Sequence, residues 1–467
     1  MIFDSIVFLF RFLPAFIICY FLAPGVMKKI VLLAGSLVFY AWGEPVYCVL
    51  LLFTILADYL CGLLMDRFRR MKRVFIVFGA AVNLGILLAF VYGGELMTLA
   101  GSLTGAELPA WQFPLPLGLP FYTLRTLSYL INVYRGEVKS CRNLLDYGVY
   151  ISMFPYLIGG PVTDYRDMQE QLASPKVTIA NISEGLKRLC FGLGKKVLLA
   201  DRLGELWMEI SHAELTGIST ASAWLGMIAF ALQMYFTFSG FSDMAIGLAK
   251  IIGFTLPENF NYPYISASVS EFFSKWFISL TDWLKNYFYT PLAGKKKPLV
   301  RRVLAILLAG AFMSIWYGTG VTVLVGCVWL AFWFMLEQVL LQDVLQGFVR
   351  PVGMLYTALV MMIGLVFVGT ETLPETLQYL KLMAGFGKLI DRQAFFLCKE
   401  YLFVLVLGAS ACTPLYSDVA TKLKTSGTGR GIALYRLGEK VIPPVILLLS
   451  IAGIAGGTYH PFLFFGL

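Results

Sequence analysis

Apolar runs close to the ~20 residues needed to span the hydrocarbon of a bilayer recur from one end of this chain to the other. They include Ile6–Leu22, Val46–Met65, Val74–Tyr92, Leu115–Val133, Ser222–Leu248, Val321–Leu341, Val352–Val368, Phe395–Ala411 and Val441–Gly456. Others, such as Ile30–Trp42, Val149–Leu157, Leu186–Ala200 and Val303–Trp316, are shorter, and Gly or Pro interrupts several of them. That pattern fits helices that are broken, tilted or buried among their neighbours. Composition agrees, with 58% of the residues hydrophobic and 14% charged, against roughly 25% charged in soluble domains. The expectation is an all-α polytopic membrane protein, a multi-helix bundle with short and broken helices.

Lys and Arg in short loops orient such a bundle. Met27–Lys29 ("MKK") and Met65–Arg73 ("MDRFRRMKR") flank a helical pair whose other turn, Gly43–Pro45, has no positive charge. Both basic loops are therefore expected on the cytoplasmic side of the cell membrane, with the N-terminus outside. Val133–Arg142 and Gly192–Arg202 also read as cytoplasmic, and Tyr92–Leu108, uncharged to acidic, reads as an external loop. The net charge of +9 then reflects topology and contact with anionic headgroups. No basic face carries a nucleic-acid module, so no nucleic-acid partner is expected. The first apolar run lacks a basic leader and a clear small-residue cleavage site and reads as a retained helix. The eight cysteines form no C-x-x-C pair. They read as small packing residues, with neither a disulfide framework nor a metal site expected.

The chain reads as a single membrane-embedded domain over 1–467, with a soft division near 165–185 between N-terminal and C-terminal helix groups. Tyr165–Leu189 is the longest polar passage, and Ser417–Gly431 looks like a loop before the final helices. Neither is long enough for a soluble catalytic domain, so any chemistry must be built from the membrane helices and their connections. Ser270–Gly294, "SEFFSKWFISLTDWLKNYFYTPLAG", stands apart from the apolar runs. Phe273, Trp276, Phe277, Leu280, Trp283, Leu284 and Tyr287 recur at helical steps, with Lys275, Ser279, Asp282 and Asn286 on the other side. The pattern predicts one amphipathic helix in the membrane interface or at a funnel mouth. Pro291 and Gly294 end it, and Lys295–Lys297 hold that end on the cytoplasmic side. Just upstream, Ser239, Ser242, Asp243, Asn259 and Asn261 cluster between apolar runs. Polar residues in a membrane usually face a cavity, although capping of broken helices is the alternative.

These segments, with Val38–Pro45 ("VFYAWGEP"), Leu115–Glu137, Phe154–Tyr165 ("FPYLIGGPVTDY"), Gly192–Leu203 and His460–Leu467, closely resemble the membrane-bound O-acyltransferase family. The similarity is nearest to its alginate O-acetylation branch and extends over almost the whole chain. The resemblance implies a bundle around a central tunnel or two opposed funnels. It implies an acyl group arriving from a cytoplasmic thioester, acetyl-CoA or a carrier, and an extracytoplasmic polysaccharide acceptor. A separate extracytoplasmic acetyltransferase partner follows from the same resemblance. Tunnel lining is expected from Ser239, Asp243, Asn259, Asn261, Trp276, Trp283, Tyr289 and Trp316.

In that family a histidine directly after the tryptophan of this segment acts as general base. Here the sequence reads "KWFISL", so Phe277 occupies that place. A second family histidine follows a tryptophan and precedes a glycine; here "SIWYGTG" puts Tyr317 there. A later tryptophan- and arginine-bearing stretch has become Leu365–Glu371. The chain has only two histidines, His212 and His460, and no register shift brings either into the motif. Phe277 has no proton to move. Tyr317, with an ordinary pKa of about 10, is a poor base but can donate to a developing oxyanion. Asp243 and His460 are other conceivable bases. Three readings follow: a histidine-free transferase, a non-catalytic scaffold or acyl conduit for a partner, and a transporter of a lipid-linked or acylated sugar.

Overall fold

The long apolar runs fold mainly as helix in the computed structural model, which describes residues 1–43, 45–105, 113–213, 217–294, 298–317, 320–341, 347, 349–426 and 428–457; residues 299 and 315–317 are described by backbone alone. The N-terminal helices are α1 (Leu13–Leu22), α2 (Met27–Ala41), α3 (Pro45–Arg67), α4 (Lys72–Thr104), α5 (Leu119–Arg135), α6 (Leu144–Ser152), α7 (Phe154–Leu157), α8 (Tyr165–Ala173) and α9 (Ile179–Gly194). A wider helical turn over Lys195–Ala200 leads into α10 (Asp201–Ser211), followed by α11 (Thr220–Ile251), α12 (Val269–Phe273), α13 (Ile278–Leu284), α14 (Thr290–Ala293), α15 (Leu299–Tyr317) and α16 (Val321–Leu336). The last helices are α17 (Arg350–Gly369), α18 (Leu373–Met383), α19 (Arg392–Glu400), α20 (Leu402–Ala411), α21 (Leu415–Thr425) and α22 (Gly429–Gly456).

Six helical stretches among the described residues are long and apolar enough to cross a membrane: Pro45–Arg67, Arg69–Thr104, Thr220–Ile251, Val321–Leu341, Arg350–Gly369 and Gly429–Gly456. The pair α19 and α20, bent by 63°, makes a seventh candidate. The protein is a multi-pass, all-helical membrane protein. The bilayer-facing role differs among these spans. In α11 78% of the apolar window is buried inside the protein, whereas in Arg69–Thr104 and Gly429–Gly456 it is 17%, which leaves the latter two to lipid.

Two passages that read as loops are helices. Tyr92–Leu108 continues α4 to Thr104, and Gly105, at φ 67°, ends it. Most of Ser417–Gly431 lies in α21 and the start of α22. Within them, Thr98 and Thr104 donate to the carbonyls of Gly94 and Ala100, and Thr421 and Thr425 to those of Ser417 and Thr421. A hydroxyl bonded one turn back finds its partner inside the helix, so a polar stretch need not leave it. The expected cytoplasmic anchor, Lys295–Lys297, lies outside the described residues.

The described chain packs as two units. The first comprises residues 1–186 and 245–257. One part of its core is an aromatic cluster in which Phe39 lies 5.7 Å from Phe8 and 5.4 Å from Phe154, centroid to centroid. The other part is α5, almost wholly buried yet rich in polar residues: Thr123, Arg125, Thr126, Ser128 and Asn132 are all inaccessible. The Arg125 guanidinium donates to the Ile151 and Tyr156 carbonyls, each at 3.1 Å, and its carbon lies 4.5 Å from the Tyr156 ring centroid. These carbonyls sit near the C-terminal ends of α6 and α7, where the helix dipoles favour a positive charge.

The second unit comprises residues 187–244 and 258–467. Within it α9 and α11 touch backbone to backbone. A Cβ built on Gly192 would lie 2.7 Å from the Gly240 carbonyl oxygen, and one on Gly240 would lie 2.8 Å from that of Gly192. Small residues permit such crossings in membranes. Gly192→Ala is expected to force the helices apart and to destabilise the protein by about 1–3 kcal/mol. A lowered thermal midpoint of the detergent-solubilised protein, with Gly456→Ala as the harmless control because its Cβ meets open space, checks this.

Candidate functional site

The segment Ser270–Gly294 is not one helix. α12 ends at Phe273, α13 begins at Ile278, and Phe277 between them has φ 45° and ψ 55°. Among the described residues only Tyr262 and Phe277 are non-glycine residues with positive φ. For a bulky aromatic this left-handed backbone costs on the order of 1–3 kcal/mol and persists only where the surroundings impose it.

The surroundings here are specific. The connection after α11 runs antiparallel past the break, so that Asn261 N–H donates to the Lys275 carbonyl at 3.0 Å and Ile278 N–H to the Asn259 carbonyl at 2.9 Å. The Asn259 side-chain oxygen accepts from both Ser279 N–H (3.2 Å) and Ser279 Oγ (2.8 Å). The freed backbone of the break is therefore satisfied by Asn259, itself 1% exposed. The Phe277 ring is held between Phe260 (4.8 Å) and Phe238 (5.2 Å), and Trp276 stacks on Phe272 at 5.4 Å. On the N-terminal side, the buried Glu337 carboxylate accepts from Val269 N–H, Ser270 N–H and Ser270 Oγ and so caps α12.

This broken segment forms one wall of a cavity of about 580 Å³ inside the second unit. Trp276, Phe277 and Tyr289 line it, facing Met313, Cys327 and Met361 from α15, α16 and α17. The lining is mainly apolar; Ser270, Thr281, Asp282, Lys285 and Gln338 are among its few polar members. Its character suits a hydrocarbon or a small uncharged group, held by shape and apolar contact.

The other expected lining residues have other places. Asn259 supports the break. Asn261 is exposed and takes part through its backbone. Trp283 is buried against Phe312, near-parallel at 5.7 Å. Ser239 is buried in α11, with no partner for its hydroxyl among the described residues. None of these four borders the cavity, and neither does Asp243. Asp243 accepts from Arg188 Nε and Nη2 at 2.9 and 2.8 Å and from Lys195 Nζ at 2.6 Å. Both its oxygens are engaged by cations, which makes it an ion-pair anchor and a poor free base. Arg188 also pairs with Glu258, directly before Asn259, so this ionic cluster fixes the connection that holds the break. The side chains of Trp316 and Tyr317, and all of His460, lie outside the described residues. His212 is exposed at the end of α10, its Nδ1 2.9 Å from the Met208 carbonyl oxygen.

Two predictions follow from this geometry. Asn259→Ala removes the side-chain oxygen that accepts from Ser279 N–H and Oγ and is expected to cost about 1–3 kcal/mol, measured as a lowered thermal midpoint, with Asn261→Ala close to wild type. The second concerns Glu271. Burial alone would push its carboxyl up, but Lys275 Nζ and Ala267 N–H, each at 2.7 Å, outweigh that and hold it below the ordinary range. A depressed carboxylate stabilises above its unfolded value of about 4.3 and loses that contribution as pH falls through its folded value. For this partly exposed pair the effect is about 0–1 kcal/mol. Glu271→Gln is expected to flatten the acid limb of the stability curve below about pH 5 and leave neutral-pH function intact.

The relatives of this chain bear on what such a site does. The profile of the membrane-bound O-acyltransferase family matches residues 124–368. The chain is 32% identical to the "probable alginate O-acetylase AlgI" of Azotobacter vinelandii, with 100% of both chains covered. It is 34% identical to the protein of the same name from Pseudomonas aeruginosa, over 83% of this chain and 75% of that one. Similarity to the peptidoglycan O-acetyltransferase of Helicobacter pylori is 30%, over 70% of this chain and 68% of the relative. By the profile match and by full-length similarity, the chain belongs to the membrane-bound O-acyltransferase family.

Proposed function

We propose that this protein serves the O-acetylation of a cell-surface polysaccharide in the cytoplasmic membrane, with its N-terminus outside. In this reading an acyl group passes from a cytoplasmic thioester, acetyl-CoA or a carrier, to a hydroxyl of an extracytoplasmic acceptor. A separate acetyltransferase on the outer side takes part. The names of the relatives support the pathway, and the apolar cavity walled by the broken segment supports passage of a small uncharged acyl group.

The observation that carries the reading further is the backbone of Phe277. Histidine, asparagine and aspartate are enriched in the left-handed region, whereas bulky aromatics are rare there. A phenylalanine at φ 45°, packed between two aromatic rings and followed by two residues that Asn259 holds, is what remains when a site shaped for imidazole keeps its scaffold and loses its base. General-base catalysis is worth about 10²–10⁴-fold. The chain therefore acts either as a conduit that presents the acyl group to a partner, or as a slow transferase relying on orientation and on Tyr317 as a donor.

The test is the O-acetyl ester content of envelope polysaccharides in a deletion strain complemented with wild type, Tyr317→Phe or Phe277→His. Loss of ester on deletion is expected, with full restoration by wild type. Restoration by Tyr317→Phe favours the conduit; failure at normal protein level favours a transferase using the phenol. A gain above wild type with Phe277→His would mark the site as a transferase site lacking only its base. Unchanged ester content on deletion removes the acetylation reading.

A further inference from the structure

A carboxylate lies in the middle of a membrane span in the first unit, and nothing above uses it. Asp58 sits on α3, ~14 Å from the Arg67 end and ~20 Å from the Pro45 end at 1.5 Å per residue, which is near the midplane of a ~30 Å hydrocarbon core. Its side chain is 0% exposed. No lysine, arginine or histidine pairs with it among the described residues. Its contact is Asn83 on α4, 1% exposed, whose Nδ2 lies 2.9 and 3.0 Å from the two Asp58 oxygens and also donates to the Gly79 carbonyl at 2.8 Å.

The groups around it are neutral. Cys61 on the same helix, Tyr122 on α5 and Tyr147 on α6 lie in its field, and α2 contributes Tyr40 beside Tyr122. The one buried cation of α5, Arg125, is spent on the carbonyls of Ile151 and Tyr156. An isolated charge in such a place is costly enough that a carboxyl neutralises instead. An orphaned atom points the same way: Asn83 Oδ1 is buried without a hydrogen-bond partner. The amide oxygen is an acceptor in need of a donor, and a bare carboxylate offers none. One proton on Asp58 supplies it. Nδ2 here faces both carboxyl oxygens, and a small rotation of the amide would bring Oδ1 to the acid O–H while leaving the amide N–H on the second oxygen.

We propose that Asp58 and Asn83 form an intramembrane proton-binding site, with Asp58 held as the neutral acid at physiological pH. The carboxylate takes up one proton and no other bond changes. The site is independent of the acetylation reading, since it stands on unit-one residues alone.

Infrared difference spectroscopy of the full-length protein in lipid vesicles tests it. The expected result at neutral pH is the carbonyl band of a protonated carboxylic acid, sensitive to deuterium exchange and lost in Asp58→Asn. Asn83→Ala, which leaves Asp58 intact, is expected to move that band by removing its hydrogen-bond partner, and it covers the case in which Asp58→Asn folds poorly. No such band at neutral pH in wild type, or a band unchanged in both variants, overturns the proposal. A thermal midpoint that rises with sodium but not with potassium, and does so only when Asp58 is present, also overturns it by assigning the site to a metal cation.

Discussion

Hydrocarbon offers no partner to a backbone N–H or C=O, and that constraint explains why the irregular parts of this protein look as they do. A regular helix satisfies itself. A broken one needs donors and acceptors brought to it, and the chain supplies them from single residues. Arg125 gathers the carbonyl ends of α6 and α7. Asn259, with its neighbour Asn261, closes the break between α12 and α13. In each case one buried polar side chain permits two short helices where a single span would be simpler. The breaks are thus the expensive features, and the polar residues around them belong to their support before they belong to any ligand.

That order of priorities separates scaffold from site. Asn259, Arg188, Asp243 and Glu258 form a supporting chain of contacts behind the break, while the cavity in front of it is walled by aromatic and aliphatic groups. The polar groups thus hold backbone in place, and the chamber itself presents mainly apolar surface to whatever enters it.

Much of this was legible from the sequence, and the failures have physical causes. The apolar runs and the family segments announced the helices, because a span has few alternatives in lipid. The loops expected at Tyr92–Leu108 and Ser417–Gly431 are largely helix among the described residues, because a polar composition does not exclude a helix whose threonine hydroxyls bond carbonyls one turn back. The helical periodicity of Ser270–Gly294 was real on both sides of Phe277 and hid a break that only a distant residue, Asn259, can hold. Asp58 carries its signal in the sequence itself, as an acid inside an otherwise apolar run, although nothing local marks its partner Asn83. The far wall of the cavity, from α15 to α17, had no local signature, since Met313, Cys327 and Met361 are ordinary lipid-compatible residues until packing brings them together.

Cys327 gives that chamber a practical property. Cys19 and Cys398 are exposed on the protein's flanks, and the remaining thiols are not among those lining the cavity. Once Cys19, Cys398 and the half-buried Cys48 are replaced, the alkylation rate at Cys327 reads out how easily a small reagent enters from either side of the bilayer. A molecule resting in the chamber would shield it. The protein thus carries a native gauge of its own accessibility, which can report whether the chamber opens inward, outward or sideways to lipid before any substrate has been identified.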